Sequence, residues 1–291
     1  MNNQRSVFIQ NETNLLRSVV LGIAHDQGDQ LDINPVSKYH IAQGTYPTES
    51  DTMRELQAVE EALKAENVEV LRPRNLVQTE QIFTRDIGFV IDDRFIVSNM
   101  REPVRQPEIE GIDWLLEELG EEKIIRMPEG AIIEGGDVVL YNEHVFVGIG
   151  KRTNKKGFEH LKSLFPKKQF HGLALNVTSD PKTNILHLDC TFQPVGDGLA
   201  IIYENGFQQK PHIIYELFDE DQLIKITQEE MNNMFPNIFS ISPQMVIIEE
   251  NFTRLIQVLE KKGITCLTVP YSETSKLSGL LRCSTLPLER D

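Results

Sequence analysis

The 291-residue sequence predicts one closed α/β domain, spanning residues 1–291 and assembled from copies of a hairpin, helix and strand unit. Three segments begin at an acidic residue, Asp86, Asp137 or Asp189, and continue as an apolar run, a short polar turn and a second apolar run. Apolar runs on both sides of turn formers are typical of β-hairpins. Because the copies recur about every 50 residues, their apolar faces are expected to bury against one another around an axis.

The elements of these copies follow from their apolar periodicity. The predicted hairpins span 86–97, 137–147 and 189–202. Apolar residues at helical spacing follow the first two hairpins, at 112–119 and 158–164, and lead to short strands at 124–125 and 173–177.

Two further copies complete the predicted ring. The fourth covers 239–268, with a strand at 245–248, a helix at 252–262 and a strand at 265–267. The fifth uses both ends of the chain: strands at 16–23 and 68–71, a helix at 51–65 and a closing segment at 283–288.

Composition excludes several functional classes. A net charge of -15 opposes binding to nucleic acid and favours cationic ligands, although solubility explains such a charge equally well. No apolar run approaches the roughly 20 residues of a membrane helix, and the N-terminus lacks a signal-peptide core, so we expect a cytoplasmic protein without a membrane partner. Three widely spaced cysteines predict neither a disulfide framework nor a zinc site, and we expect no metal and no cofactor.

Polar residues stand where each predicted unit starts, directly beside a strand that otherwise has a buried pattern. A charge beside a buried strand requires a partner or a function. If the units surround an axis, their starts converge near it. The expected set is Asp86, Glu134, Asp137, His187, Asp189 and Cys283.

Two of these motifs also allow structural interpretations. Glu134-Gly135-Gly136-Asp137 permits a close backbone approach, or forms a tight turn with a capping acid. In His187-Leu188-Asp189, period-2 alternation would place His187 and Asp189 on one face of a strand. That pair is either a general acid/base with its carboxylate or a buried histidine satisfied by aspartate.

Cysteine, histidine and several carboxylates together suit nucleophilic attack on a cationic planar carbon. A free thiol with a pKa of about 8.5 is mostly protonated at neutral pH, so a nearby cation or base must favour the thiolate. A guanidinium substrate supplies such a cation, and carboxylates bind it through paired N–H···O bonds. We therefore expect Cys283 to attack a guanidinium carbon.

In these residues the chain resembles the guanidino-group-modifying (pentein) superfamily, which includes arginine deiminase, dimethylarginine dimethylaminohydrolase and glycine amidinotransferase. Four motifs carry the resemblance, in the family's order and over nearly the whole chain: Phe83-Thr84-Arg85-Asp86, Glu134-Gly135-Gly136-Asp137, His187-Leu188-Asp189 and Cys283. The resemblance implies a five-fold pseudosymmetric α/β propeller and a hydrolase of C–N bonds in linear amidines.

The resemblance also implies residue roles. Cys283 would be the nucleophile, His187 the general acid/base, and Glu134 a carboxylate that serves catalysis and holds the guanidinium. Asp86 and Asp189 would be further guanidinium ligands.

Three more residues join the substrate-binding set by the same resemblance. They are Phe83 and two arginines, Arg105 and Arg152, each of which follows the second strand of a hairpin. The arginines would hold the α-carboxylate of the substrate; the alternative is that they are surface charges.

The signals conflict on the exact family branch. The chain has no room for the helical insertion of arginine deiminases, so its compactness resembles the dimethylarginine hydrolases, whereas His187-Leu188-Asp189 is similar to deiminases and amidinotransferases. Arg282, directly before Cys283, either lowers the thiol pKa or points away from it. Cys190 and Cys266 are expected to be core residues.

The leading hypothesis is a hydrolase that acts on arginine or an N-substituted, arginine-like guanidino acid. It would form a covalent thiouronium at Cys283 and release a citrulline-like ureido product with ammonia or an amine. The alternatives are an amidinotransferase and a non-catalytic guanidine-binding protein. Whether the chain forms a homo-oligomer is left open.

Overall fold

A computed structural model describes residues 5–291, which form five three-stranded sheets. In each sheet the central strand pairs antiparallel with one neighbour and parallel with the other. The strands of four sheets are β3 Gly88–Ile91, β4 Arg94–Val97 and β5 Ile124–Arg126; β6 Val138–Tyr141, β7 His144–Ile149 and β8 Gln169–Ala174; β9 Phe192–Val195, β10 Leu199–Ile202 and β11 Leu223–Lys225; β12 Phe239–Ser242, β13 Met245–Glu249 and β14 Thr265–Val269.

The fifth sheet joins the two ends of the chain, as predicted. β1 Leu16–Leu21 lies at its centre, antiparallel to β15 Thr285–Arg290 and parallel to β2 Glu69–Leu71. This pairing closes the ring of sheets, because the last strand is hydrogen-bonded to the first.

Eight α-helices connect the described strands. They are α1 Pro35–Gln43, α2 Glu49–Ala65, α3 Thr84–Ile87, α4 Asp113–Leu119, α5 Lys155–Leu164, α6 His212–Leu217, α7 Gln228–Asn232 and α8 Thr253–Lys261. The longest, α2, begins at a capping box in which Thr48 and Asp51 satisfy each other's backbone N–H groups. No helix within residues 5–291 has both the length and the apolar character needed to cross a membrane.

Hairpin turns bring polar residues to the ends of otherwise buried strands. Asp92 and Asn142 occupy the first turn position of two hairpins with φ of 51° and 54°. Asp and Asn adopt this left-handed conformation more readily than other residues that carry a side chain.

The four residues of β3 are all buried, so this strand lies inside the fold with both faces covered.

Two predictions about strands were wrong. The strand predicted at 173–177 is β8, which begins earlier and ends at Ala174. The strand predicted through His187-Leu188-Asp189 is a single 3₁₀ turn, Leu188–Cys190. A 3₁₀ turn has about three residues per turn, so His187 and Asp189 do not share one face.

Candidate active site

The polar starts of the five units meet, one from each sheet. The residues that directly precede the first strands of the hairpins contribute Asp86, Glu134 with Asp137, His187 with Asp189, Asn237, and Cys283. All of these residues are buried. The convergence predicted from the repeats is therefore present, with Asn237 as a member that the sequence reasoning missed.

Cys283 is buried, with its Sγ between an amide and a carboxylate. Asn237 Nδ2 donates to Sγ at 3.2 Å, while its Oδ1 accepts from the backbone N–H groups of Leu280 and Cys283. Asp189 Oδ2 lies 3.6 Å from Sγ. Burial, followed by the charges of Asp189 and Asp86, raises the pKa of the Cys283 thiol well above its ordinary value.

His187 is held by two carboxylates. Its Nε2 donates to Glu134 Oε2 at 2.8 Å, and its Nδ1 lies 3.7 Å from Asp86 Oδ1. Burial opposes the charged form, but the charge of Asp86 and the hydrogen bond to Glu134 outweigh it and raise the His187 pKa. Burial alone would raise the pKa of Glu134, but the same contact and the charge of His187 outweigh burial and lower it, so the charged forms of both groups are favoured.

Arg105 and Arg152 are buried beside these carboxylates, which contradicts the alternative of surface charges. Arg105 donates to Asp86 Oδ2 at 2.8 Å and to both oxygens of Glu108 at 2.7 and 2.9 Å. Arg152 donates from Nη1 to Glu134 Oε2 at 3.3 Å, and its Nε has no hydrogen-bond partner within the described part of the chain.

A small cavity of about 10 Å³ lies between these groups and the thiol. We call it the cysteine cavity; its lining includes Phe83, Glu80, Asp86, Arg105, Arg152 and Cys283. The start of α1 covers it: Arg152 Nη2 donates to Ile33 O at 3.4 Å, and Asn34 Nδ2 donates to Leu277 O at 3.3 Å. Such a volume holds about one water molecule, so an amino-acid ligand requires the covering segment to move.

Two oxygens in this cavity are left for a ligand to use. Asp86 Oδ1 has no hydrogen-bond partner among residues 5–291. Glu80 is buried and accepts from Tyr46 Oη at a long 3.4 Å, and burial raises its pKa. Asp86 therefore pairs one oxygen with Arg105 and leaves the other without a donor among the described residues, whereas Glu80 lacks the close hydrogen-bond donor that a buried carboxylate normally finds.

Asp189 and Asp137 face other partners. Asp189 Oδ2 accepts from Arg282 Nη1 at 2.9 Å, and Arg282 also donates to Glu12 Oε1 at 2.9 Å. Asp137 Oδ1 accepts from Leu188 N at 2.9 Å, and burial raises the Asp137 pKa to about 7. Arg282 points away from the thiol toward Asp189 and Glu12, one of the two orientations considered from the sequence.

Asp86, Glu134 and His187 also offer ligand atoms within 4.8 Å of one another. The two carboxylates favour the protonated form of His187, which has no lone pair to offer a metal ion until it loses that proton.

The sequence reasoning missed Asn237, Glu80 and Glu108. Asn237 stands two residues before β12, as Asp86 does before β3 and Cys283 before β15. Alignment of the fourth copy on the others by that offset would have identified it. Glu80 and Glu108 lie outside the repeated pattern.

Comparison with known proteins places the chain in a family. Residues 32–290 match a family model described as N,N dimethylarginine dimethylhydrolase, eukaryotic. The chain belongs to this family. A Bacillus subtilis (strain 168) protein called "Uncharacterized protein YkgA" is 34% identical over 231 residues, covering 79% of this chain and 77% of that protein. The dimethylarginine dimethylhydrolase family is one of guanidino-modifying enzymes, and the resemblance seen in the sequence is confirmed.

More distant matches agree. An arginine deiminase from Listeria monocytogenes serotype 4b (strain CLIP80459) is 28% identical over 249 residues; these cover 72% of this chain and 61% of the deiminase, so the chain spans less than two thirds of that relative. The structure of SxtG, an amidinotransferase from Microseira wollei, superposes with a TM-score of 0.80 at 18% identity, covering 98% of this chain and 97% of that one.

The N-terminal domain of ArgZ, an arginine dihydrolase from cyanobacteria, superposes with a TM-score of 0.83 at 18% identity, covering 94% of this chain and 98% of that one. These two structural likenesses, together with the five sheets, confirm the five-fold pseudosymmetric α/β propeller.

Proposed function

We propose that the protein hydrolyses the guanidino group of arginine or a similar amino acid, with Cys283 as the nucleophile. One observation carries the proposal: the Cys283 thiol borders the same cavity as Asp86, whose Oδ1 has no hydrogen-bond partner among the described residues, and as two arginines, Arg105 and Arg152. The family and the named activities of its relatives support this reaction class. A ureido product and ammonia, or an amine from an N-substituted substrate, would leave.

The walls of the cysteine cavity suit an amino-acid head group. Arg105 and Arg152 would bind the α-carboxylate through forked hydrogen bonds. Glu80, with its loosely paired carboxylate, would bind the α-ammonium. Substrate thus replaces contacts that the arginines now make with carboxylates of the protein, which leaves Asp86 and Glu134 available to the guanidinium.

The bound cation would also activate the thiol. In the free site burial, followed by the charges of Asp189 and Asp86, keeps the thiol pKa high. A guanidinium beside Asp86 offsets that charge and lowers the pKa, so the thiolate forms where substrate is bound. Asn237 Nδ2 then donates to an anionic sulfur, which is a stronger hydrogen bond than one to a neutral thiol.

The bond changes follow from these protonation states. The thiolate adds to the guanidinium carbon, and the His187 imidazolium gives its proton to one nitrogen as that C–N bond breaks and ammonia or an amine leaves. The neutral His187 next removes a proton from water, whose oxygen attacks the thiouronium carbon. The C–S bond then breaks, the thiolate is restored, and the hydroxyl group added from water loses its proton to solvent as the ureido carbonyl forms; the ammonia or amine released earlier takes up that proton.

Substitution of the nucleophile tests this proposal. Cys283→Ser should lose turnover by a factor of about 1,000 or more, because a hydroxyl is a far weaker nucleophile than a thiolate at neutral pH. Cys266→Ser is the matched control, since Cys266 lies half-buried on β14 and should leave the rate unchanged. Most activity surviving in Cys283→Ser would remove the thiol from the mechanism.

A substrate panel tests the head-group assignment and the reaction. Arginine, N-methylated arginines and agmatine, which lacks the α-carboxylate, are compared for ureido product and for ammonia or amine. We expect agmatine to react at least about 100-fold more slowly than the best amino acid, because two buried arginines would lose their anion. Equal rates would contradict the roles of Arg105 and Arg152. Product formed only when glycine or another amine is added would identify an amidinotransferase instead.

A further inference from the structure

A second small cavity of about 10 Å³ lies elsewhere in the fold. Arg85, Arg290 and Glu12 line it, together with apolar side chains such as Phe89 and Val138. It shares no lining residue with the cysteine cavity. We call it the arginine cavity.

The charges around the arginine cavity do not balance. Three buried arginines, Arg85, Arg282 and Arg290, face two buried carboxylates, Glu12 and Asp189. Arg282 forms ion pairs with both carboxylates at 2.9 Å, so most of their negative charge is already neutralised by this one arginine. Among these buried residues of the described chain the arginines outnumber the carboxylates by one, and an uncompensated buried charge is costly.

Arg290 carries most of this excess. Within the described part of the chain it has no carboxylate closer than 4.0 Å, and its Nη1 and Nη2 donate to the neutral carbonyl oxygens of Asn14 and Ser240 at 2.5 and 2.7 Å. Its Nε has no hydrogen-bond partner among residues 5–291. Burial lowers the Arg290 pKa to about 10; the charge of Glu12 opposes this shift, and the weaker repulsion by Arg282 adds to it.

Arg85 is nearly as poorly matched. Its Nη1 is 3.9 Å from Glu12 Oε2, its Nε donates to Arg282 O at 3.5 Å, and its Nη2 lacks a partner among the described residues. Burial and repulsion by Arg282 lower the Arg85 pKa to about 9. Two guanidinium groups that line one cavity therefore each keep an unused N–H donor.

We propose that the arginine cavity binds one small monovalent anion of halide size, chloride under ordinary conditions, held by Arg85 and Arg290. A cavity of this volume accepts a particle about as large as water and excludes polyatomic anions such as sulfate, phosphate or a carboxylate. A water molecule would satisfy the free N–H groups, yet it would leave the positive charge uncompensated. The anion meets both needs.

The bound anion would stabilise the turn that presents Cys283. The backbone N–H of Arg85 donates to Cys283 O at 2.9 Å, and Arg85 Nε reaches Arg282 O. Neutralising the guanidinium of Arg85 therefore favours the burial of the segment that holds this turn. This proposal does not depend on the reaction that Cys283 performs.

Diffraction at a long wavelength tests the site directly. Crystals of the full chain are grown from sodium chloride and measured where chlorine scatters anomalously and oxygen does not. We expect an anomalous peak in the arginine cavity, comparable in height to those of the methionine sulfurs. A water molecule without anomalous signal, or an empty cavity, would overturn the proposal.

Stability measurements provide the second test. Urea unfolding is compared in potassium chloride and potassium gluconate at equal ionic strength. Chloride at 100 times its Kd should raise the folding equilibrium constant about 100-fold. Arg290→Met should lose that difference, and Arg126→Met, which removes an exposed arginine, should retain it. Equal stability of the unaltered chain in both salts contradicts the proposal. If Arg290→Met does not fold, the proposal is still tested by the stability of the unaltered chain in the two salts and by the diffraction experiment.

Discussion

The cysteine cavity and the arginine cavity have the same volume and opposite charge. Around the first, four carboxylates face two arginines and one imidazolium: Glu80, Asp86, Glu108 and Glu134 against Arg105, Arg152 and His187. Around the second, three arginines face two carboxylates. Both cavities are surrounded by buried charged residues, so the burial of charge does not distinguish one cavity from the other.

The sign of the imbalance is what separates the two cavities. A surplus of carboxylates leaves a place for a cation, and a surplus of guanidinium groups leaves a place for an anion. Asp189 touches both networks, since one of its oxygens lies 2.9 Å from Arg282 and 3.6 Å from the Cys283 sulfur. Changing one charge at a time should therefore show which cavity each carboxylate serves.

The largest effect is expected when the cysteine cavity loses a negative charge. Asp86→Asn should reduce kcat/KM by about 100- to 1,000-fold, because a charged partner of the guanidinium is lost. The same substitution should lower the thiol pKa of the free protein, since the Asp86 charge is one of the causes that raise it. Steady-state kinetics and the pH dependence of Cys283 alkylation by iodoacetamide measure the two effects.

We expect the thiol of Asp86→Asn to alkylate faster near neutral pH although the variant turns over more slowly. That result would show that Asp86 serves to bind the cation and does not make the sulfur more reactive. Asp93→Asn, in an exposed hairpin turn, is the control and should change neither quantity. If Asp86→Asn keeps its turnover, or if its thiol titrates at a higher pH, the electrostatic description of the cysteine cavity is wrong.

The sequence predicted the architecture well because the repeat is local. Each hairpin is specified by apolar runs around residues such as Asp92 or Asn142, and each helix by its own periodicity. The copy assembled from both termini was also predicted correctly, since the strand at 16–23 needed a partner and the last apolar run supplied one.

The pairings inside the site could not be predicted from local pattern. Arg282 pairs with Glu12, 270 positions away, and nothing near either residue indicates that contact. Asn237 follows Pro236, which is typical of a turn, so its approach to the sulfur was not visible. The 3₁₀ turn at 188–190 was predicted as a strand because three residues cannot distinguish the two periods.

Asn237→Asp should reduce the reaction rate less than Asp86→Asn does, and it should shift the thiol pKa in the opposite direction. The new carboxyl keeps an oxygen to accept from Leu280 N and Cys283 N, but it replaces the Nδ2 donor that now reaches the sulfur. Loss of one hydrogen bond to a thiolate should reduce kcat by about 10- to 100-fold and raise the thiol pKa. The alkylation profile should thus shift to higher pH, whereas that of Asp86→Asn shifts to lower pH.

Asn233→Asp, at the end of α7, is the matched control because its exposed side chain lies outside the site. Identical shifts for Asn237→Asp and Asn233→Asp would mean that added negative charge alone, rather than the hydrogen bond to sulfur, changes the thiol. Unchanged kinetics in Asn237→Asp would remove Asn237 from the set that serves the nucleophile.

The smallest effect is expected at Asp137, a buried carboxylate beside the cysteine cavity that forms no ion pair with an arginine among residues 5–291. Burial raises its pKa to about 7 in the folded protein, so the stability it contributes is complete below its unfolded pKa and is lost as the pH rises through 7. Asp137→Asn keeps the oxygen that accepts from Leu188 N and removes the charge. Urea unfolding should give the variant and the unaltered protein similar stability at pH 4, and an advantage of about 1–3 kcal/mol to the variant at pH 8. The reverse order at pH 8 would mean that the charge of a nearby cation such as His187 outweighs the effect of burial on Asp137, and the raised pKa would be wrong.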